Sequence, residues 1–339
     1  MEFRPHGANP EKLYKLFGIQ MPAHVVDFST NTNAVRLDSA FTPDLRAALE
    51  DYPDDDAAAV RSLISQKTGA PLQNILVTSG ANEAIYILAS LVANRENAIL
   101  EPVYGEYLRA LKAYGARVRN IFTFDRETLP DRSAVWLCNP CNPTGKLIPD
   151  AVIEDTAAKL PRTLFIVDEA YRDFVWTQEM PRAYRNTRNI IRLRSLTKTY
   201  NLCGARIAYL LADERVTEKI RNRTPSWNVN NLAQQAALFY LTDKTLLQRT
   251  KDYYAAEIPR LTRALSAAGY ETMPTCVNFF LVKIADDENF IRYMLRRGIV
   301  VRHTRNFPSL DGRYVRIAAR TREENDLLIS AMRAYARDI

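Results

Sequence analysis

The sequence predicts an α/β protein with one large domain and a second, smaller one. Three observations support this: a strand–helix alternation that begins near residue 74, small and charged residues directly after apolar strands, and a change to long helices beyond residue 230. Such an alternation is typical of a largely parallel sheet between helices, and 339 residues exceed one typical hydrophobic core. We expect a large domain at residues 27–225 with a mostly parallel seven-stranded sheet, and a smaller α+β domain formed by residues 1–26 and 226–339.

The expected strands of the large domain are short and apolar, and helices separate most of them. The strands are predicted at residues 75–78, 98–101, 117–121, 135–138, 164–167, 190–193 and 207–211. The helices are predicted at residues 57–68, 83–93, 106–114, 151–159 and 214–222. Before them we expect a short amphipathic helix that ends at Gly18 and a strand at residues 25–29. In the smaller domain we expect helices at residues 232–241, 244–268, 289–297 and 323–337, and strands at residues 279–282, 300–303 and 314–317.

A lysine follows the apolar strand at residues 190–193, in the sequence Ser195-Leu196-Thr197-Lys198. An amine at the mouth of a buried strand is costly unless it has a use, and partial burial lowers its pKa and makes it a nucleophile toward carbonyls. Ser195 and Arg206 add a hydroxyl and a guanidinium, which suit a phosphate. An aldehyde that carries a phosphate is pyridoxal phosphate, so we predict that Lys198 bonds to this cofactor. A surface lysine between two strands is the alternative from this stretch alone.

Two more strands end at the edge where open α/β sheets bind ligands. One is followed by a segment suited to binding a phosphate, and the other by a loop that holds one side chain in a fixed direction. The strand at residues 75–78 leads into Ser79-Gly80-Ala81-Asn82, and a helix that begins there offers N–H groups to a phosphate. The strand at residues 135–138 leads into a loop in which two prolines and a glycine fix the direction of Asn142. The structural alternatives are an ordinary helix start and a rigid loop without a ligand.

The strand at residues 164–167 runs into Asp168-Glu169-Ala170-Tyr171. A carboxylate after so apolar a strand is costly unless it meets a cation. A pyridinium nitrogen is such a cation, and its protonation makes the ring an electron sink. We therefore predict that Asp168 faces the cofactor ring nitrogen and that Tyr171 reaches its phenolate oxygen. An N-cap carboxylate is the alternative for Asp168.

Composition excludes several classes of protein. Apolar residues make up 47% and charged residues 25% of the chain, as in ordinary globular enzymes. No apolar run is long enough to cross a bilayer and no export signal is visible, so we expect a cytoplasmic protein with no membrane partner. The net charge of +7 comes without a nucleic-acid-binding module, so we expect no nucleic acid and a field that attracts small anionic substrates. Cys138 and Cys141 form a C-x-x-C, but with no second pair we expect neither a metal site nor a disulfide.

The order of the motifs G-A-N-E, Y-x-x-Y, N-P-T-G, D-E-A-Y and S-x-x-K-x-x-x-x-x-x-x-R resembles the aspartate-aminotransferase superfamily of fold-type I pyridoxal-phosphate enzymes over nearly the whole chain. The resemblance implies that Lys198 bonds the cofactor aldehyde, that Asp168 pairs with its ring nitrogen, and that Tyr104 stacks on its ring. It further implies that Asn142 and Tyr171 contact the phenolate oxygen. The phosphate would be held by Gly80, Ala81, Asn82, Ser195 and Arg206. Tyr52 would reach the phosphate in a partner subunit, so the resemblance also implies a homodimer with shared sites.

Within this superfamily the chain resembles the histidinol-phosphate aminotransferases and the L-threonine-O-3-phosphate decarboxylases of cobalamin synthesis. Three stretches favour the decarboxylases: the opening H-G-A-N at residues 6–9, the D-F-S-x-N-x-N at residues 27–33, and the two segments at residues 302–308 and 316–321. The departures are Ala8 for a glycine, Ala34 and Val35 for Pro-Leu, and Cys141 for an asparagine, and they concern the substrate pocket.

The resemblance also implies which residues hold the substrate. Arg316 would bind its α-carboxylate, as bidentate guanidinium recognition also suggests, and Arg302 and His6 would bind its phosphate. Asn33 and Asn142 would complete the substrate site. The expected reaction is decarboxylation of O-phospho-L-threonine to (R)-1-aminopropan-2-yl phosphate, with Lys198, Asp168 and Tyr171 as catalytic residues. The alternative is transamination of histidinol phosphate with 2-oxoglutarate, and a pyridoxal-phosphate-binding regulator is disfavoured because the chain has no room for a DNA-binding module.

Overall fold

The computed structural model describes residues 7, 9–37, 40–177 and 184–338. Its central feature is a sheet of seven strands within this part of the chain, in the order β2-β8-β7-β6-β5-β3-β4. Two smaller sheets pair β1 with β10, and order β11-β12-β9. The strands are β1 Val26–Asp27, β2 Ile75–Thr78, β3 Glu96–Leu100, β4 Arg117–Ile121, β5 Ala134–Cys138, β6 Leu164–Asp168, β7 Ile190–Ser195, β8 Ala208–Leu211, β9 Phe279–Lys283, β10 Ile299–Val300, β11 Arg302–His303 and β12 Tyr314–Ala318.

Helices cover the central sheet and form most of the remainder. They are α1 Pro10–Phe17, α2 Leu45–Glu50, α3 Ala58–Thr68, α4 Gly80–Val92, α5 Glu106–Ala113, α6 Asp150–Lys159, α7 Leu196–Thr199, α8 Glu214–Arg221, α9 Asn231–Thr242, α10 Leu246–Ser266, α11 Asp287–Leu295 and α12 Arg322–Asp338. Short 3₁₀ turns lie at Leu72–Asn74 and Arg172–Phe174. Among the residues described, no helix combines the length and the apolar character that a membrane span requires.

The direction of the strands brings distant parts of the sequence to one edge of the central sheet. Strands β3 to β7 pair in parallel, whereas β8 is antiparallel to both of its neighbours, β7 and β2. The carboxyl ends of β2, β5, β6 and β7 therefore meet the amino end of β8. Because Arg206 precedes β8, the reversal places it beside the residues that follow the other strands.

The strands at the centre of this sheet are buried on both faces, which explains their nearly continuous apolar sequences, whereas the edge strand β4 is mostly exposed. Every residue of β5 (A-V-W-L-C) and β6 (L-F-I-V-D) is buried. The apolar core is continuous from α4 and β5 to β9, α11 and α12, so the C-terminal elements pack on the same core as the central sheet.

The N-terminal segment packs against the C-terminal part of the chain. Strand β1 pairs in parallel with β10, and the hydroxyl of Tyr14 on α1 donates to the carbonyl of Leu295 at 2.9 Å. Strand β12 lies between β9 and β11 and is antiparallel to both. These contacts do not test the domain boundary at residue 225, which remains a prediction.

The structure confirms the predicted α/β class and the mostly parallel central sheet, and it differs in local detail. The strand expected at residues 25–29 is only Val26–Asp27, because the chain turns where Asp27 Oδ1 accepts the N–H of Ser29. The strand expected at residues 300–303 is divided, since β10 pairs with β1 and β11 pairs with β12. Helix α4 begins at Gly80 rather than residue 83, with Glu83 accepting the N–H of Ser79 at 2.6 Å. Helix α2 has no counterpart among the predictions.

Candidate active site

A cavity of about 230 Å³ opens at the edge of the central sheet where the predicted motifs meet. Its walls come from the ends of β5, β6 and β7, the start of α4, the turn after β1, and strands β11 and β12. It is lined by Gly7, Ser29, Thr30, Asn31, Ala81, Asn82, Tyr104, Cys138, Asn142, Asp168, Ala170, Tyr171, Ser195, Thr197, Lys198, Arg206, Arg302, Phe307 and Arg316. The sheet and the C-terminal strands thus share one cavity, which we call the candidate active site.

Lys198 reaches the cavity from α7, the single helical turn that follows β7. Burial lowers the pKa of its amine most strongly; Cys203 opposes this effect, the nearby guanidiniums of Arg316 and Arg206 lower the pKa further, and Asp168 raises it slightly. A lowered pKa increases the neutral, nucleophilic fraction of the amine. Its carbonyl accepts the N–H of Asn33 at 3.1 Å, so the turn after β1 supports the lysine.

Asp168 ends β6 and lines the cavity with a buried carboxyl group. Its Oδ1 accepts the N–H of Ala170 at 3.0 Å, and its Oδ2 accepts the hydroxyl of Tyr107 at 2.7 Å. Burial raises the pKa of Asp168 to about 6, although these two donors and the nearby Lys198 act in the opposite direction. An anion in this position is suited to a cationic ring nitrogen.

The phosphate-binding residues predicted from the sequence surround the start of α4. The first turn of a helix leaves its N–H groups without intrahelical partners, and Ala81 and Asn82 of this turn line the cavity. Gly80 has a φ of +77°, and a Cβ on it would lie 2.5 Å from the guanidinium of Arg206. Only glycine therefore allows Arg206 to lie against this turn. On the facing strand end, the hydroxyls of Ser195 and Thr197 are 2.7 Å apart.

Tyr104, Tyr171 and Asn142 all line the cavity, as predicted from the sequence. The hydroxyl of Tyr104 donates to Asn82 Oδ1 at 3.3 Å. The hydroxyl of Tyr171 accepts the side-chain amide of Asn31 at 3.2 Å, and burial keeps its pKa above the ordinary value. Asn142 Oδ1 accepts a hydrogen bond from Arg316, so the loop after β5 also orients a residue of β12.

Two arginines reach the cavity from neighbouring strands. Arg302 of β11 and Arg316 of β12 are paired residues of an antiparallel ladder, and both are buried. Burial, together with the charge of Arg316, lowers the pKa of Arg302 to about 9, and burial lowers that of Arg316 to about 10. Arg316 donates to the backbone carbonyl of Ser29 at 2.6 Å and to Asn142, which are neutral oxygens. Two cations destabilised in this way form a strong site for anions.

The structure corrects the prediction for Asn33, which does not line the cavity. Its amide donates to the carbonyl of Thr199 at 3.0 Å and to the hydroxyl of Thr250 at 2.8 Å, and its Oδ1 accepts the N–H of Val35 at 3.0 Å. These contacts occupy its polar atoms and make it a structural residue behind Lys198. Asn31, two residues earlier, lines the cavity instead.

Two predicted residues lie elsewhere. Tyr52 is 80% exposed and does not line this cavity, and its ring contacts that of Trp227 with centroids 4.9 Å apart. His6 lies outside the described residues, although Gly7 lines the cavity.

Sequence reasoning missed several residues of the site. Asn31 and Ser29 lie in the D-F-S-x-N-x-N stretch and could have been found there, whereas Thr197 and Phe307 carried no separate signal. Tyr107 was visible as the second tyrosine of Y-x-x-Y, but its contact with Asp168 was not.

The residues of the cavity fit pyridoxal phosphate. They supply an amine for the aldehyde, a carboxylate for the ring nitrogen, and a helix N-terminus with hydroxyls and a guanidinium for the phosphate. Two buried polar atoms of lining residues, Asn31 Oδ1 and Arg316 Nε, have no hydrogen-bond partner in the described structure. Buried polar groups are normally satisfied, so these atoms indicate that the cavity is built to receive a polar ligand.

The chain is similar in sequence to two kinds of enzyme. It is 31% identical to a threonine-phosphate decarboxylase of Salmonella typhimurium, over 97% of this chain and 95% of that protein. It is 29% identical to histidinol-phosphate aminotransferase 2 of Ralstonia nicotianae, over 93% of this chain and 90% of that protein. Among solved structures, an L-threonine-O-3-phosphate decarboxylase from Porphyromonas gingivalis matches 92% of this chain and 100% of its own, with a TM-score of 0.80 and 26% identity.

The profile of the family "Aminotransferase class I and II" matches residues 24–332, which is most of the chain. This match confirms the fold-type I architecture and the expected cofactor, pyridoxal phosphate. The chain belongs to the class I and II aminotransferase family.

Proposed function

We propose that this chain is a cytoplasmic, homodimeric decarboxylase that converts O-phospho-L-threonine to (R)-1-aminopropan-2-yl phosphate for cobalamin synthesis. The observation that carries the proposal is the pair Arg302 and Arg316, two buried guanidiniums on adjacent strands that open into one cavity. The similarity to threonine-phosphate decarboxylases supports it.

The charge of the two arginines favours a substrate with two acidic groups. O-phospho-L-threonine carries a phosphate and an α-carboxylate and would neutralise both guanidiniums at once. Histidinol phosphate has a phosphate but no carboxylate, so it would leave Arg316 buried without an anion, which is costly. Transamination of histidinol phosphate is the second candidate, because its co-substrate 2-oxoglutarate does bring a carboxylate and because the chain is also similar to such enzymes.

In the proposed reaction each lining residue has a role set by its position. Pyridoxal phosphate, when bound, supplies the electron sink for the bond that breaks at the substrate's α carbon. Asp168 would lie at the ring nitrogen and favour its protonated form. Arg302 would hold the substrate phosphate and Arg316 its carboxylate, and fixing both ends limits rotation about the α carbon. Lys198 Nζ would return a proton to that carbon after CO₂ leaves.

An exposed apolar surface supports the proposed homodimer. Leu49 of α2 is 84% exposed, and Leu45, Tyr52, Trp227 and Leu232 are exposed near it, where α2 packs on α9. A second copy of the chain would cover these side chains and would receive Tyr52 at its phosphate site. Sedimentation velocity at micromolar concentration should give the mass of a dimer, and a monomer with full activity would contradict shared sites.

The proposed reaction is tested by its independence of an amino acceptor. Decarboxylation returns the cofactor as the aldehyde, whereas transamination leaves it as the amine and stalls without a 2-oxo acid. We expect the loaded protein, given O-phospho-L-threonine and no oxo acid, to release CO₂ over many turnovers. Lys198→Ala is the matched control and should release none.

The opposite outcome is equally clear. If no CO₂ appears, while histidinol phosphate and 2-oxoglutarate yield glutamate, the decarboxylase assignment is wrong and the aminotransferase stands.

A further inference from the structure

Tyr107 touches the proposed ring-binding carboxylate without lining the cavity. It is the second tyrosine of Y-x-x-Y and lies on α5, with its side chain 1% exposed. Its hydroxyl donates to Asp168 Oδ2 at 2.7 Å. Asp168 lines the cavity and Tyr107 does not, so the contact reaches the carboxylate from the protein side.

The two oxygens of Asp168 are held by two different donors. The N–H of Ala170 holds Oδ1 through the turn that follows β6, and the hydroxyl of Tyr107 holds Oδ2 from another element of the fold. Only the tyrosine bond ties the carboxylate to a helix on the other side of the strand end. Without it, the plane of the carboxylate would be fixed by one backbone contact alone.

The position of the Tyr107 hydroxyl is itself fixed by aromatic packing. Its ring lies 5.7 Å from that of Trp136 on β5 and 6.0 Å, edge on, from that of Tyr104. The indole N–H of Trp136 donates to Asn97 Oδ1 at 3.0 Å, which anchors the tryptophan to β3. A donor placed by two strands and a helix has little freedom to follow a moving carboxylate, so it restrains Asp168.

The hydrogen bond from Tyr107 also affects the protonation of Asp168, because the carboxyl group is surrounded by other titratable groups. The titratable groups that face the carboxyl group come from five segments: Tyr107 on α5 and Tyr104 before it, Cys138 at the end of β5, Glu169 and Tyr171 after β6, and Lys198 on α7. Burial opposes the charged carboxylate, Glu169 opposes it as well, and Tyr107, Ala170 and Lys198 favour it. The tyrosine stays protonated as a donor, because burial keeps its own pKa well above the ordinary value.

We propose that Tyr107 is a positioning residue that keeps Asp168 oriented and negatively charged for the ring nitrogen of the cofactor. The proposal depends on the proposed role of Asp168 and extends it to a residue outside the cavity. Tyr107 is not a catalytic residue, since it touches neither substrate nor cofactor in this arrangement.

The test is Tyr107→Phe in the full-length chain, which removes the hydroxyl and keeps the aromatic packing. In the cofactor-free protein, infrared spectra of ¹³C-carboxyl aspartate, with Asp168→Asn as the subtraction reference, report the protonation of Asp168. A hydrogen bond to a charged group corresponds to about one to two pH units, so we expect the pKa of Asp168 to rise by that amount. In the loaded protein the acid limb of kcat should move upward in pH to a similar extent, while KM changes little.

A matched control is Tyr14→Phe. Tyr14 is equally buried, and its hydroxyl donates to the carbonyl of Leu295, remote from the cavity. It should lower stability without moving either pH midpoint. An unshifted Asp168 titration in a folded Tyr107→Phe protein would overturn the proposal and leave Tyr107 a packing residue.

A second variant covers the case in which Tyr107→Phe does not fold. Incorporation of 3-fluorotyrosine at position 107 gives a more acidic phenol and a stronger donor, so the pKa of Asp168 should fall. A rise, or no change, would overturn the proposal. The infrared measurement needs no substrate, so it stands apart from the CO₂ assay: a protein that shows the shift but never releases CO₂ rejects the decarboxylase and keeps the role of Tyr107.

Discussion

Two pairs of arginines have opposite surroundings: Arg302 and Arg316 are buried in the candidate active site, and Arg192 and Arg194 are partly buried on β7. Arg192 and Arg194 both pair with Glu169, at 2.6 and 2.5 Å. Burial is the largest single effect and lowers the pKa of these two guanidiniums, but the charge of Glu169, its hydrogen bonds and other nearby groups such as Asp150 and Asp173 together outweigh it, and both pKa values end above the ordinary value. For Arg302 and Arg316 burial prevails, and their pKa values fall to about 9 and about 10.

Two adjacent carboxylates show the same contrast. Asp168 and Glu169 are both buried at the end of β6. Burial raises the pKa of Asp168 to about 6, whereas the pKa of Glu169 is lowered, because Arg194, Arg192 and Arg172 together outweigh its burial. The charges around Glu169 satisfy one another and hold the strands together. Arg302 and Arg316 in the cavity donate instead to neutral oxygens, those of Asn306, Asn142 and Ser29. Perturbed pKa values without a nearby charge partner of opposite sign are common at functional sites.

The largest expected effects on stability and turnover come from replacing Glu169 and Asp168 separately. Glu169→Gln removes the buried carboxylate that Arg192 and Arg194 share and leaves them longer ion pairs, with Glu154 at 3.1 Å and Asp173 at 3.5 Å. The free energy of unfolding, measured by urea denaturation, should therefore fall by about 3–5 kcal/mol. At about pH 4, where Asp168 is protonated in the folded protein, Asp168→Asn should change it by less than about 1 kcal/mol, because the amide can still accept from Ala170 and donate to the hydroxyl of Tyr107. Turnover should instead fall by about 10²–10³-fold.

A third variant, Asp173→Asn, is the control for this pair. Asp173→Asn removes a more exposed carboxylate of the same cluster, 3.5 Å from Arg194, and should alter neither quantity much. If Asp168→Asn keeps native turnover, or if Glu169→Gln is as stable as the wild type, the division between the two carboxylates is wrong.

The pH dependence of stability should have opposite signs at the two positions. The pKa of Asp168 is raised from 3.8 to about 6, so folded cofactor-free protein binds this proton more tightly than the unfolded chain. Its contribution to the free energy of unfolding should therefore decrease by about 3 kcal/mol as the pH rises from about 4 to about 6. The lowered pKa of Glu169 gives a contribution that is present above its unfolded value and is lost as the pH falls.

This prediction is checked by differences between wild type and each variant. The wild type minus Asp168→Asn curve should slope downward with pH, and the wild type minus Glu169→Gln curve should slope upward. Two curves that run parallel would contradict the assignment of these surroundings.

The smallest expected effect concerns an arginine of the cavity. Arg302→Ala removes the proposed phosphate contact, and kcat/KM for O-phospho-L-threonine should fall about 10–150-fold, which corresponds to about 1.5–3 kcal/mol. Inhibition by L-threonine, which has no phosphate, should change much less. Arg305→Ala is the matched control, because Arg305 lies three residues further on and pairs with Asp287 at 2.6 Å. Equal losses for both variants would remove the phosphate role.

Most of the residues that the sequence predicts at the cofactor line the cavity, because their motifs depend on local order along the chain. A residue that follows a parallel strand must lie at the carboxyl edge of the sheet, so Asp168, Asn142 and Ser195 were predicted at the cavity before any distance was known. The resemblance extended this to Tyr104 and Arg316. Asn33, predicted at the substrate site, does not line the cavity: D-F-S-x-N-x-N contains two asparagines, and only the turn after β1 decides that Asn31 faces the cavity and Asn33 faces Thr250.

By itself, therefore, the sequence determined the α/β class, and it predicted the sheet edge at which the cavity lies and the lysine, aspartate and phosphate-binding residues proposed there. The tertiary structure alone decided the pairing of Arg302 with Arg316, the support of Asp168 by Tyr107, and the capture of Arg192 and Arg194 by Glu169. The physical reason is that motif spacing reports neighbours along the chain. The charge state of a buried group depends instead on burial and on partners that are distant in the sequence. Arg302 and Arg316 are 14 residues apart, and Tyr107 and Asp168 are 61 residues apart.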